Sequence, residues 1–253
     1  MTGEQKTAIA SFLDLSADCL AGGYARPREP YRFEDDREPG DAGAGAAGTE
    51  AGEDSLEGIA AQVRSCRGCG LWGTRTNAVP GEGVSSPLVL VIGEGPGADE
   101  DSSGRPFVGK AGQLLDKMLG SIGLSRERNC FIANVVKCRP PENRDPLPGE
   151  AEACAPFLAR QIRLLRPRLI LCMGKVAANR LLGECNGLPG FREPEAIGRL
   201  RGRFYDYPVS PDLSIPLLAT YHPSALLHNE DLKRPAWEDL KKLRAFLAET
   251  GGI

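Results

Sequence analysis

The sequence predicts an α/β fold: a three-layer α/β/α sandwich with a central, mostly parallel four-stranded sheet. Two observations predict it. Residues 87–93, 130–136, 168–173 and 216–221 are short apolar runs of strand length and read as buried strands. Helical apolar spacing fills the intervals and the end of the chain. Such alternation implies right-handed crossovers that put helices on both sides of a parallel sheet.

Taken in order, Ser55 caps a helix running through Leu56, Ile59, Ala60 and Val63 to Arg64. The strand at 87–93 comes next. Leu114, Leu115, Met118, Leu119 and Ile122 place a helix over 110–122. After the strand at 130–136 come a helix at 149–165, the strand at 168–173 and a helix at 175–182. The strand at 216–221 precedes a closing helix at 233–249, with Trp237, Leu240, Leu243 and Phe246 on one face. No internal repeat is evident. In sheets of this kind, sites form beyond the carboxyl ends of the strands.

The folded body therefore spans 55–253. Ahead of it, residues 1–24 hold a short amphipathic segment around Ile9, Phe12, Leu13 and Leu15. Residues 25–54 are rich in Pro, Gly, Ala and acids without an apolar period. They read as an acidic flexible linker, a solvated spacer rather than a tail that mimics a ligand, because so little apolar surface cannot offset the entropy of ordering. The linker also accounts for the charge. The formal net charge is −3, yet from Glu34 to Asp54 eight acids face the single base Arg37, a local −7, while residues 1–33 balance. The body from Ser55 onward thus carries +4. No apolar run approaches a membrane span, and residues 1–10 lack the basic-then-apolar order of a secretory signal. The expected location is cytoplasmic.

A reducing compartment disfavours disulfides, so the eight cysteines read as metal ligands or core residues. Cys66-x-x-Cys69 can wrap one metal locally, and Cys138 at a strand end and Cys154 on the next helix can return to complete a set of four. Fifteen residues separate Cys138 from Cys154, which is not the second C-x-x-C of a zinc ribbon. Spacing alone leaves zinc and an iron–sulfur cluster level. Cys130 and Cys172 sit in apolar strands, Cys185 follows a helix end and Cys19 lies outside the body, so these read as non-ligands.

Three strand ends carry unusual residues. The first strand runs into Gly93-Glu94-Gly95-Pro96-Gly97. The second runs through Asn134 into Lys137-Cys138-Arg139-Pro140-Pro141-Glu142-Asn143-Arg144, and the fourth into Tyr221-His222-Pro223-Ser224. The glycine-rich turn lacks the Lys-Ser/Thr of a phosphate loop, and a lone strand-end asparagine usually bonds local backbone. His222 shares its loop with His228, the chain's other histidine. Taken together with Gly104-Arg105-Pro106-Phe107-Val108-Gly109-Lys110-Ala111-Gly112 and the C-x-x-C pair, however, these segments resemble the uracil-DNA glycosylase superfamily, its iron–sulfur family 4 most closely. The resemblance covers about residues 65–249.

That resemblance implies a monofunctional hydrolase of N-glycosyl bonds in base-excision repair. It would flip uracil out of DNA, break the bond to the sugar C1′ and leave an abasic site. Cys66, Cys69, Cys138 and Cys154 would hold a 4Fe–4S cluster, with no further cofactor needed. Phe107 would stack on the flipped base, Asn134 would read its O4 and N3 edge, and His222 would donate to O2 as charge builds. Glu94 would contact the base or order water, beside Gly95 with its backbone near O2. Ser224 would hold a substrate phosphate. Lys137, Arg139, Arg144 and His228 are the further expected DNA contacts, and Leu226 or Leu227 the wedge that fills the vacated stack.

One departure qualifies the match. Where the family often carries an arginine a few residues after the His-Pro pair, this chain reads Leu227-His228-Asn229. A related branch traps uracil covalently with a histidine in the loop after the second strand. Residues 139–146 contain none, which implies turnover. The expected partner is uracil-containing DNA, met by a monomer away from any membrane. Three other readings use the same residues: a non-catalytic cluster-bearing protein that binds damaged DNA, a glycosylase for another deaminated base, and a zinc-stabilised interaction module.

Overall fold

All four apolar runs form strands, and they lie side by side. The structure is a computed structural model that describes residues 54–185 and 194–252, within a unit spanning Thr49–Ile253. The expected segment at 1–24 and the linker up to residue 53 lie outside the described residues. Asp54, expected to end the linker, instead belongs to the body: its carboxylate accepts from Arg160 Nε at 2.7 Å and also from Nη2.

Among the described residues six strands form one sheet: β1 (Glu82–Gly83), β2 (Val89–Gly93), β3 (Cys130–Asn134), β4 (Leu169–Met173), β5 (Phe204–Ser210) and β6 (Leu213–Thr220), in the order β1-β3-β2-β4-β6-β5. The four expected strands β3, β2, β4 and β6 are mutually parallel, and β1 and β5 add antiparallel edges. Neither edge was expected, for different reasons. β1 has two residues and depends on Gly83 at φ +148, where a Cβ would meet the Cys130 carbonyl oxygen at 2.2 Å. β5 contains Pro208 and a mostly solvated face, features that belong to edge strands rather than to buried runs.

Alternate side chains of the parallel strands fill two cores. Leu90, Ile92, Ala133, Ile170, Cys172, Leu217 and Ala219 pack beneath α4 (Pro148–Leu165) and α5 (Lys175–Cys185). Val89, Val91, Ile132, Leu169, Leu171 and Leu218 pack beneath α3 (Lys110–Gly120) and α8 (Lys233–Glu249). The remaining helices are α1 (Leu56–Ser65), α2 (Ala98–Ser103), α6 (Ile197–Leu200) and α7 (Pro223–His228). Ser55 caps α1 as expected, its Oγ accepting from Gly58 N at 3.0 Å. No described helix is long and apolar enough to cross a membrane.

Register decides where the strands end. Gly93 lies opposite Asn134, and Met173 opposite Thr220. Strand β2 and its neighbours therefore end level, and the pairing runs on into the loops, with Val135 N donating to the Gly93 carbonyl at 2.9 Å and Val136 N to that of Glu94 at 3.1 Å. Beyond β4, Gly174 N donates to the Thr220 carbonyl at 2.9 Å. Under Thr220 lies buried Asp239, which accepts from Thr220 Oγ1 at 2.6 Å and from Arg201 Nε at 2.8 Å, fixing the end of β6 against α8.

Candidate active site

Because the strands end level, the loops after β2, β3 and β6 share one edge and enclose a cavity of about 300 Å³. Glu94, Gly95, Phe107, Asn134, Arg144, His222 and Ser224 of the expected site residues line it, together with Glu100, Asn143, Gly174 and Lys175. Its volume matches the lower end of small-molecule pockets.

Asn134 is 1% exposed, and its Oδ1 has no hydrogen-bond partner. A buried acceptor left unmatched costs about 1–3 kcal/mol, so this oxygen is poised for a donor from outside the protein. It lies so close to the β2 backbone that a Cβ on Gly93 would stand 2.4 Å from it and 2.5 Å from Phe107 Cζ. Only glycine fits there.

Phe107 forms another wall, its ring 5.5 Å from that of His222 at 35° between planes. Its φ of +53° is the left-handed region, which costs a bulky residue about 1–3 kcal/mol unless its surroundings enforce it. Arg126, 6% exposed, does so by donating to the carbonyls of Pro106 at 2.8 Å and Phe107 at 2.9 Å while paired with Asp116 at 2.9 Å. Glu100 grips the other side of the aromatic, accepting from the main-chain N–H groups of Val108 at 2.8 Å, Gly109 at 2.9 Å and Gly97 at 3.1 Å.

His222 caps α7. Its Nδ1 accepts from Ser224 N at 3.2 Å and lies 2.7 Å from Ser224 Oγ. An Nδ1 that accepts the backbone N–H carries no proton, so neutral His222 has its hydrogen on Nε2. Burial lowers its pKa to about 4, opposed by Glu100, which keeps the ring neutral at pH 7. Glu94 shifts the other way. Burial, with help from Asp145 and against Lys175, pushes its carboxyl up to about 7. The cavity therefore offers a neutral N–H donor, an amide, an aromatic face and a carboxyl poised near neutrality. This set suits a flat polar ring whose leaving requires charge stabilisation and a water.

The expected DNA contacts divide. Lys137 must be corrected: it is 1% exposed, with its ammonium on the Asn134 carbonyl at 2.9 Å and Gln161 Oε1 at 2.7 Å, so it presents no cation to a phosphate. Leu226 must be corrected as the wedge, being 2% exposed in the packing of α7, whereas Leu227 is 47% exposed. Arg144 lines the cavity but is held by both carboxylate oxygens of Glu150 at 2.7 and 2.8 Å. Arg139 donates to Asn143 Oδ1 at 2.8 Å, and His228 is exposed at the end of α7.

Cys66, Cys69, Cys138 and Cys154 face one small hollow, floored by Val63 and Phe157. All four are free thiols, and no three described His, Cys, Asp or Glu side chains are grouped to hold a metal ion. Burial raises the Cys138 thiol, and it pushes that of Cys154 up to about 11. Two cations oppose this. Arg75 Nη1 donates to Cys138 Sγ at 2.9 Å, and Lys137 N donates to Cys154 Sγ at 3.2 Å while its ammonium acts on the same thiol.

Arg75, Glu100, Arg126 and Lys175 were not singled out from the sequence. Arg75 and Arg126 act through sulfur or main-chain contacts to separate segments and leave no motif, whereas Glu100 bonds main-chain N–H groups within nine residues of itself. Lys175, directly after the β4 end, was findable from the same strand-end rule that marked the other loops.

Comparison with known proteins gives a consistent answer. The family model for the uracil DNA glycosylase superfamily matches residues 80–241. The Type-4 uracil-DNA glycosylase of Saccharolobus solfataricus is 44% identical over 196 residues, 77% of this chain and 88% of that protein. That of Archaeoglobus fulgidus is 42% identical over 190 residues, 75% and 92% of the two chains. That of Thermotoga maritima is 39% identical over 201 residues, 79% and 98% respectively.

The ring of His222 gives a direct check. Nitrogen-detected NMR of the imidazole should show the Nε2–H tautomer at pH 7 and a midpoint near 4, and a cationic ring at pH 6 would refute the assignment.

Proposed function

The chain belongs to the uracil DNA glycosylase superfamily, and on that premise we propose how its cavity carries out the excision of uracil from DNA. It is a DNA-repair hydrolase of N-glycosyl bonds, with DNA as substrate. The observation that carries the assignment of roles is the unmatched Asn134 Oδ1 in the wall of a cavity faced by Phe107 and His222.

Uracil presents a donor at N3 and acceptors at O4 and O2. Asn134 Oδ1 accepts from N3–H, and its amide nitrogen donates to O4. Cytosine presents an acceptor at N3 and a donor in place of O4, so both contacts fail, at about 1–3 kcal/mol for each buried group left unmatched. Phe107 stacks on the ring in the dry pocket that flipping reaches. As the bond to C1′ stretches, the base gathers negative charge on O2, and the His222 Nε2–H donates to it without giving up its proton. A preorganised donor of this kind contributes about 10²–10³ in rate. Glu94, as carboxylate, orients the water that attacks the oxocarbenium-like sugar. Ser224 and Lys175 meet phosphates flanking the flipped nucleotide, with Arg139 and His228 further out. Exposed Leu227 takes the place of the base in the stack.

Cys66, Cys69, Cys138 and Cys154 would hold the 4Fe–4S cluster. The donor set fits: four soft sulfurs around one hollow, without a carboxylate, and two cations to balance thiolate charge. When bound, the cluster supplies a cross-link that ties the segment after α1 to the loop after β3 and to α4.

Purified protein incubated with an oligonucleotide holding one uracil, then treated with alkali, should give breaks at that position. Asn134→Ala and His222→Ala should each retain the fold and lose about 100-fold or more in kcat. Intact strands from protein with full iron content would favour a non-catalytic DNA-binding role instead.

Glu94 sets the pH dependence. Its carboxyl ionises near 7, so kcat should rise through that value and level off above it, and Glu94→Gln should abolish the limb along with most of the rate. A limb that survives the substitution belongs to another group. Finally, Cys154→Ser should lower bound iron and the visible absorbance of thiolate–iron bonds. Unchanged iron content would place the metal elsewhere.

A further inference from the structure

Lys137 is 1% exposed, yet its side chain ends in an ammonium. Its two ends reach different sites. The main-chain N–H donates to Cys154 Sγ at 3.2 Å. The Nζ donates to the Asn134 carbonyl at 2.9 Å and to Gln161 Oε1 at 2.7 Å, and Gln161 Nε2 in turn donates to the Pro80 carbonyl at 2.8 Å. Both ammonium acceptors are neutral and neither is a carboxylate, while the sulfur that the Lys137 backbone reaches is that of Cys154 in the cage. Taking an ammonium out of water is costly unless an anion balances it. The anion at hand is the cysteine cage, which Arg75 also addresses through Cys138.

We propose that Lys137 is a positioning residue joining the two sites: it balances the negative charge of the thiolate cage and, through the Asn134 carbonyl, holds the base-reading amide at the end of β3. This rests on the roles assigned above to the cage and to Asn134. The geometry gives the link its short reach, since Lys137 bonds a carbonyl three residues back while its own backbone lies against a cage sulfur. An outer residue of this kind commonly changes activity or metal affinity by about 10- to 100-fold when removed.

The test uses iron-loaded, full-length protein carrying Lys137→Met, Lys137→Arg, Asn134→Ala, or Lys137→Met with Asn134→Ala. Lys137→Met should lower kcat on uracil-containing duplex by about 10- to 100-fold with little change in KM. In the Asn134→Ala background that loss should shrink to less than about twofold, because a residue acting through Asn134 has nothing left to position. The reduction potential of the iron centre, followed by its visible absorbance, should fall in Lys137→Met and return in Lys137→Arg, which keeps the charge.

Additive losses in the double variant, or an unchanged potential at full iron content, would overturn the proposal. Should Lys137→Met fail to fold, Gln161→Leu removes the second anchor of the ammonium and undergoes the same cycle with Asn134→Ala. A kcat loss that vanishes in that background supports the link, and an additive loss overturns it. A wild-type protein that releases no uracil would defeat the functional reading instead, and the potential measurement would still judge the cage half of the proposal.

Discussion

The site depends on one backbone contact, the level pairing of Gly93 with Asn134 at the ends of β2 and β3. A parallel sheet brings its carboxyl ends to one edge, but it does not by itself let two side chains and a backbone meet within van der Waals distance. The missing side chain at Gly93 does. It lets the Asn134 amide and the Phe107 ring close against the β2 backbone, and any Cβ there would displace both. The remaining parts of the cavity, Glu94 one residue on and His222 at the end of β6, are positioned from that edge by continued pairing into the loops.

The edge is also where local rules of stability are broken. An acceptor lacks a donor, a phenylalanine sits in the left-handed region, and a carboxyl and an imidazole are both partly stripped of water. Each is individually unfavourable by an amount comparable to a hydrogen bond. They persist because surrounding groups leave no alternative: Arg126 fixes the Phe107 peptide, Glu100 ties three main-chain N–H groups on the opposite side, and Asp239 secures the end of β6. Such tension relieved by a ligand is the expected state of a preorganised pocket, and the residues that support it are polar, Arg126 and Asp239 among them buried.

The sheet was legible because parallel strands buried on both faces leave uninterrupted apolar runs, and four of these are plain in the sequence. The convergence of Glu94, Asn134 and His222 was legible for the same reason, since topology alone places their loops together. The edge strands were not, because two residues around Gly83 and a proline-bearing half-exposed strand carry no periodic signal. Lys137 was misread because a lysine between a strand end and a cysteine looks like a surface cation. Its acceptors come from three residues back and from Gln161 on α4, and no local pattern announces them. Leu226 and Leu227 exchange roles through helix phase alone. Adjacent residues on α7 lie about 100° apart around the axis, enough to bury Leu226 and expose Leu227, and a six-residue helix is too short for its buried side to be read in advance.

The opposed shifts of Glu94 and His222 have a consequence for the whole molecule. Between about 4.5 and 7 the unfolded chain has released the Glu94 proton while the folded chain still holds it, so this group withdraws stability as alkalinity grows. Between about 6.5 and 4 the unfolded chain has gained a proton on His222 that the folded chain refuses, so this group withdraws stability as acidity grows. Over the overlap, from about 4.5 to 6.5, one proton difference offsets the other. The empty cavity is thus nearly silent in the acid–base thermodynamics of folding there, even though each of its two titrating groups, taken alone, would tilt the balance.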